Sequence, residues 1–157
     1  MSIATSCVAA LQSVYSLCST VAASASPPSI FTDTKVEVFY GPAPAQQYNA
    51  QILIGVTGVS GGKQEPRYIG AGRLEDFTIS GIVWVAITDP LAPQIETASS
   101  YLVTLLNALD AQVVNDPTLG GTVLQSWLES FELTFDVQPT GMAAQIDFEV
   151  HVESQVN

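Results

Sequence analysis

From Val123 onward the odd positions of this chain turn apolar, at Trp127, Phe131, Leu133, Phe135 and Val137. The even positions carry Ser126, Ser130, Glu132, Thr134 and Asp136. Alternation of period two over so long a run marks a half-buried strand, because successive side chains point to opposite faces. Pro139-Thr140-Gly141 then reverses the chain. A second run alternates Ile146, Phe148, Val150 and Val152 with Gln145, Asp147, Glu149, His151 and Glu153. The two runs predict a long C-terminal β-hairpin with one greasy face and one acidic face. A two-stranded hairpin is marginal alone in water, so the greasy face needs a helix or a neighbouring subunit over it. The lead-in is Asn115-Asp116-Pro117-Thr118-Leu119-Gly120-Gly121. Its Asp-Pro starts a turn and its Gly-Gly permits positive φ.

Upstream, Ile3, Cys7, Ala10, Val14, Leu17 and Val21 recur at spacings of three and four, which predicts an amphipathic helix over 2–21. A small-residue stretch follows it, as after a signal peptide. There is no Lys or Arg near the start, however, and Gln12, Ser13 and Ser16 interrupt the apolar run, so a core helix is expected. No uninterrupted run of eighteen apolar residues occurs, and no membrane-spanning helix is expected. Residues 22–29, with Pro27-Pro28, read as a stiff connector. A short strand is expected at 35–40 and a central one, apolar on both faces, at 52–56. Residues 58–72 are Gly-rich and read as a long loop. Residues 74–88 read as a third strand, with Gly81 a bulge or a point of close approach. Ile95, Ala98, Leu102, Leu105, Leu106, Leu109 and Val113 form the stripe of a second helix that stops at Asn115-Asp116-Pro117. This order predicts one α+β domain over 1–157: a mainly antiparallel sheet, two helices packed on one face, and the long C-terminal hairpin.

Composition narrows the function. Only 12% of the 157 residues are charged, while 47% are hydrophobic. So few charges suggest that part of the uncharged surface is covered by other subunits. Four basic residues, Lys35, Lys63, Arg67 and Arg73, face fifteen acidic ones, for a net charge of −11. That balance argues against gripping nucleic acid or an anionic membrane. It suits a passage through which a polyanion slides without sticking. Cys7 and Cys18 sit eleven positions apart on one helix, about 16 Å along its axis. They cannot bond to each other, and free buried thiols in a reducing compartment are expected.

Chemistry-bearing motifs are scarce. His151 is the single histidine, on the polar face of the last strand, and reads as an exposed surface residue. Two cysteines and one histidine are too few soft ligands for a structural zinc. No Gly-x-Ser-x-Gly elbow frames a serine. Gly58-Val59-Ser60-Gly61-Gly62-Lys63 lacks the Ser/Thr of a phosphate loop and precedes no helix. Glu75 and Asp76 point to opposite faces of a strand. Asp147, Glu149 and Glu153 share a face but do not wrap an ion. No catalytic residue, cofactor or metal is expected.

Several pieces now stand together: the N-terminal helix, Phe39-Tyr40-Gly41-Pro42, Ile52-Leu53-Ile54-Gly55, and Arg73-Leu74-Glu75-Asp76-Phe77-Thr78-Ile79. Asp116-Pro117-Thr118-Leu119-Gly120-Gly121 leading into Trp127, and the final hairpin with Gly141, complete the set. Together they resemble the tail terminator (tail completion) proteins of siphovirus-type bacteriophages. The resemblance implies a homo-oligomeric ring, usually a hexamer, that caps the tail tube, ends its growth and meets the head-side connector or stopper. DNA would pass through without specific binding, and the protein would reside in the virion after assembly in the host cytoplasm. Under this reading Asp147, Glu149 and Glu153 approach the channel. Lys63, Arg67 and Arg73, with Asp116, Leu119, Gly120 and Gly121, are the expected partner contacts. A neighbouring neck or tube component, and a small α+β enzyme or ligand-binding domain, stand as alternatives.

Overall fold

The computed structural model describes residues 3–31, 35–41, 49–66, 73–88 and 91–156. The elements run α1 (Ile3–Ser24), β1 (Glu37–Tyr40), β2 (Ala50–Pro66), β3 (Arg73–Ile87), α2 (Ala92–Asn115), β4 (Gln125–Gln138) and β5 (Gly141–Val156). The five strands form one sheet in the order β1-β2-β3-β5-β4. β1 pairs parallel to β2, and every other pairing is antiparallel. The fold is therefore the expected α+β arrangement. α1 lies over β1 and β2, while α2 lies over β3, β5 and part of β4. Tyr15 fixes α1 on the edge strand by stacking on Tyr40 at 4.1 Å and donating its hydroxyl to the Val38 carbonyl at 3.3 Å.

The core fills from both layers. Ala10, Val14, Cys18 and Val21 of α1 and Ala98, Leu102, Leu105 and Leu109 of α2 close on the alternate residues Ile52, Ile54, Ile79, Val83 and Val85 of the sheet. Most of each predicted stripe is buried, with Cys18 joining it on α1 and Tyr101 on α2, while Cys7, Leu17 and Ile95 are only partly buried; the side chain of Ile3 lies outside the described residues. α1 continues to Ser24, three residues past the expected end, because Ala22, Ala23 and Ser24 are small enough to extend the last turn before Pro27-Pro28. Leu53 is buried on the second face of β2, as a central strand requires. α1 also carries an 18-residue window, Cys7–Ser24, long and apolar enough to cross a membrane by length and composition. The uninterrupted-run criterion does not register it. A core helix passes the same test, and the apolar stripe of α1 is buried against the sheet.

The expected loop over 58–72 is corrected. Residues 58–66 continue β2, which pairs with β3 as far as Pro66 opposite Arg73. Gly58, Gly61 and Gly62 have little intrinsic preference for a strand. The long neighbour β3 imposes the pairing, and register shifts between Ile54 and Val59 and between Gly61 and Lys63 absorb the misfit. Gly81 is a point of close approach: the ring of Phe148 lies where its Cβ would be.

Glu75 occupies a core-facing position on β3 and is only 2% exposed. Among the described residues, neither carboxylate oxygen has a hydrogen-bond partner. It lies close enough to Cys7 to help raise that thiol's pKa, after burial, which is the larger cause. Leaving a buried acid without a partner costs stability. Glu75→Met is expected to stabilise the chain by about 1–3 kcal/mol, since apolar groups of like volume often improve on buried ionic ones. Denaturant unfolding checks this: the midpoint rises while the slope is unchanged. A lower midpoint would show that Glu75 supports the fold.

Candidate docking surface

β4 is the edge of the sheet and carries an irregularity that decides which way its side chains face. Leu128 stands opposite Val150 and Ser130 opposite Glu149, so Glu129 is an extra residue between them. One extra residue moves everything beyond it to the other face. Trp127 therefore pairs with His151 on the helix-free face and stacks on its ring, with centroids 4.5 Å apart. The expected single greasy face running through Trp127 is corrected accordingly. His151 is also not the freely exposed residue expected. Its side chain is 17% exposed under Trp127, and its Nδ1 lies 3.5 Å from a carboxylate oxygen of Glu129.

Beyond the bulge, Phe131, Leu133, Phe135 and Val137 stand opposite Phe148, Ile146, Ala144 and Met142. All eight are on the helix side of the sheet. The β5 members are buried, yet the β4 members are 65%, 39%, 48% and 55% exposed. Geometry explains the difference. Two helices about 10 Å across cover roughly 20 Å, whereas five strands at about 4.8 Å each occupy nearer 24 Å. The outermost strand is left bare, with an apolar row on one face and its outer N–H and C=O groups unpaired by this sheet. Where α2 passes nearest, Leu106, Leu128, Phe131 and Leu133 line a cleft of about 310 Å³ together with Asp110 and Glu129.

The opposite face is acidic. Asp147 stands across from Glu132, and Glu153 across from Asp76, so like charges face each other. Such pairs cost stability unless polar neighbours or cations intervene. Gln145 donates to Asp147, Ser130 to Glu149 and Gln125 to Glu153. Asp147, Glu149 and Glu153 thus lie on one face as expected. Among the described residues, no group of three His, Cys, Asp or Glu side chains is arranged to hold a metal ion. Cys7 and Cys18 are free thiols. Burial holds Cys18 far above the usual thiol range.

The Asn115–Gly121 stretch is a self-satisfied connection between α2 and β4. The Asp116 carboxylate accepts the Gly120 N–H at 2.6 Å and the Thr118 hydroxyl at 2.8 Å. Thr118 Oγ1 in turn accepts the Gly121 N–H at 3.1 Å. Leu119, Gly120 and Gly121 are all left-handed, at φ 49°, 71° and 81°. Leu119 seats its side chain in the core, while Gly120 and Gly121 leave backbone at the surface. A partner meeting this loop therefore meets Gly120, Gly121 and Asp116 rather than the Leu119 side chain. Lys63 is in β2, in register with Asp76, and Arg73 opens β3. Arg67 lies outside the described residues.

No protein-family model matches the chain. No curated protein matches it either. Among solved structures it is similar to a chain in one described as "Virion of native gene transfer agent (GTA) particle". The TM-score is 0.39 and the identity 15%, covering 74% of this chain and 78% of that one. A superposition this loose carries neither fold nor function from one chain to the other.

Proposed function

We propose that the chain is a structural subunit of a phage virion, a tail terminator whose copies close into a ring on the end of the tail tube. The observation that carries this reading is the bare edge strand β4. It presents Phe131, Leu133, Phe135 and Val137 to solvent on a chain in which only 12% of residues are charged. Exposed apolar rows on unpaired edges are aggregation hazards unless a specific neighbour covers them. The sequence resemblance around Asp116–Gly121 and Trp127 supplies the identity of the assembly. The ring joins the tube to the head-side connector, and the role is structural rather than catalytic. The acidic sheet face then borders the channel, where it repels DNA and lets it slide.

The test is electron microscopy of the purified protein mixed with tail tubes, alongside light scattering of the protein alone. Rings on tube ends, with tube length fixed by their addition, are expected. A monomer that ignores tubes at every concentration would overturn the proposal.

A further inference from the structure

The sheet has a long open stretch on each side, and the two are of opposite kinds. On one side, β1 covers β2 only as far as Ile54. Among the described residues, no strand pairs with the outer side of residues 58–66 of β2. That stretch carries Gly58, Gly61 and Gly62 and, with Lys63 balancing Glu65, no net charge. On the other side, β4 carries Phe131 and Phe135, three acids (Glu129, Glu132 and Asp136) and no Lys or Arg. We infer that the outer edge of β4 in one copy pairs with the outer edge of residues 58–66 in the next, so that the sheet runs on from copy to copy. This rests on the ring reading above and names the two surfaces that make the ring.

Composition, charge and edge length choose this occupant. Glycine in a strand leaves backbone that another chain can approach closely, and an aromatic ring from the neighbouring strand covers it. Phe131 and Phe135 supply such rings. Pairing β4 with β4 of another copy would bring three acids from each side to one joint, and like charges across strands are destabilising. Residues 58–66 add no net charge to it. β1 is a poorer partner. It is only four residues long, and the Tyr15 hydroxyl already occupies its Val38 carbonyl. A contact between unlike edges is heterologous, so it propagates from copy to copy and closes when the rotation allows. Residues 59–66 stand level, through β3, with 150–156 of β5, whereas 131–137 of β4 stand level with 142–148. That offset of about eight strand residues is about 26 Å. Joined copies therefore step along the strand direction, and the strands slant to the ring axis, as closing a sheet requires.

The test is amide hydrogen exchange, read by mass spectrometry on the unmodified chain as monomer and as assembly, alone or on tail tubes. Amides of β4 and of residues 58–66 are both expected to slow at least about tenfold on assembly, while those of β1 do not. Slowing of β4 alone, or of β4 with β1, overturns the pairing and leaves the ring standing. A charge exchange gives a second reading by light scattering, with circular dichroism to show that each variant is folded. Ser60→Glu with Lys63→Glu turns a neutral edge acidic and is expected to weaken assembly at least about tenfold. Adding Glu132→Lys and Asp136→Lys in the same chain is expected to restore it to within about threefold of the unmodified chain. A Ser60→Glu, Lys63→Glu variant that assembles like the unmodified chain overturns the pairing, as does weakening without rescue. If a variant fails to fold, the exchange result on the unmodified chain decides. An unmodified chain that stays monomeric alone and on tail tubes overturns both readings.

Discussion

Replacing Phe131 and Phe135 together by Asp is expected to leave the monomer folded and to abolish the proposed assembly. Both side chains lie on β4 and are 65% and 48% exposed, so the monomer gains little from them. Exposed substitutions of this kind usually change stability by under about 0.5 kcal/mol each. In the proposed assembly the same side chains would be buried. Burying a Phe side chain is worth about 1.5–3 kcal/mol, so losing two removes about 3–6 kcal/mol from each interface. At 1.4 kcal/mol per factor of ten, association weakens by about 10² to 10⁴. Putting carboxylates into the interface adds desolvation and repulsion from Glu132 and Asp136 on the same strand. Light scattering reads the loss of mass, and a melting temperature unchanged within a few degrees shows that the fold is intact. A large drop in melting temperature would mean that β4 is part of the core in solution. Unchanged assembly would move the interface to another surface.

The strip tested there was only half legible in the sequence. Ile146, Phe148, Val150 and Val152 announce an inward face by alternation, and the structure buries all four. The stripe from Ala98 to Val113 is equally plain, because a helix repeats its face every three to four residues. Counting odd and even positions fails at Glu129. An inserted residue leaves the letters alternating on either side while turning Trp127 to the other face, and only the partner strand reveals it. The glycines after Gly58 fail for a related reason. Their local preference is for a loop, and it is overridden by a neighbour twenty residues away. Coverage is beyond any pattern. Phe131 and Phe148 look alike in sequence and sit side by side, yet one is bare and the other buried because α2 is narrower than the sheet it covers. Glu75 reads as a polar interruption in an apolar row, and nothing local says that its carboxylate finds no partner among the described residues.

Gly81→Ala is expected to be among the most damaging single methyl additions in the core. A Cβ there would lie 2.3 Å from Cζ of Phe148 and 2.8 Å from both Cε atoms. Real contacts of that kind do not occur, so either the ring or the strand must move. The ring has little room, because Phe148 is 2% exposed within the cluster that both helices close. The strand has little room either, since β3 is hydrogen-bonded on both sides. Overpacking of this kind costs about 1–3 kcal/mol, with the upper end expected here. For a chain of this size each kcal/mol lowers the melting temperature by about 2–4 °C, so a drop of about 6–12 °C is expected. Phe148→Leu removes the obstructing ring edge and is costly alone, through the cavity it leaves. In the double variant the new methyl partly fills that space. The two costs should then sum to at least about 1 kcal/mol less than their separate values, the coupling that touching residues show. Strict additivity would mean that Phe148 does not rest on Gly81, and the packing of β5 against β3 would need redrawing around that pair.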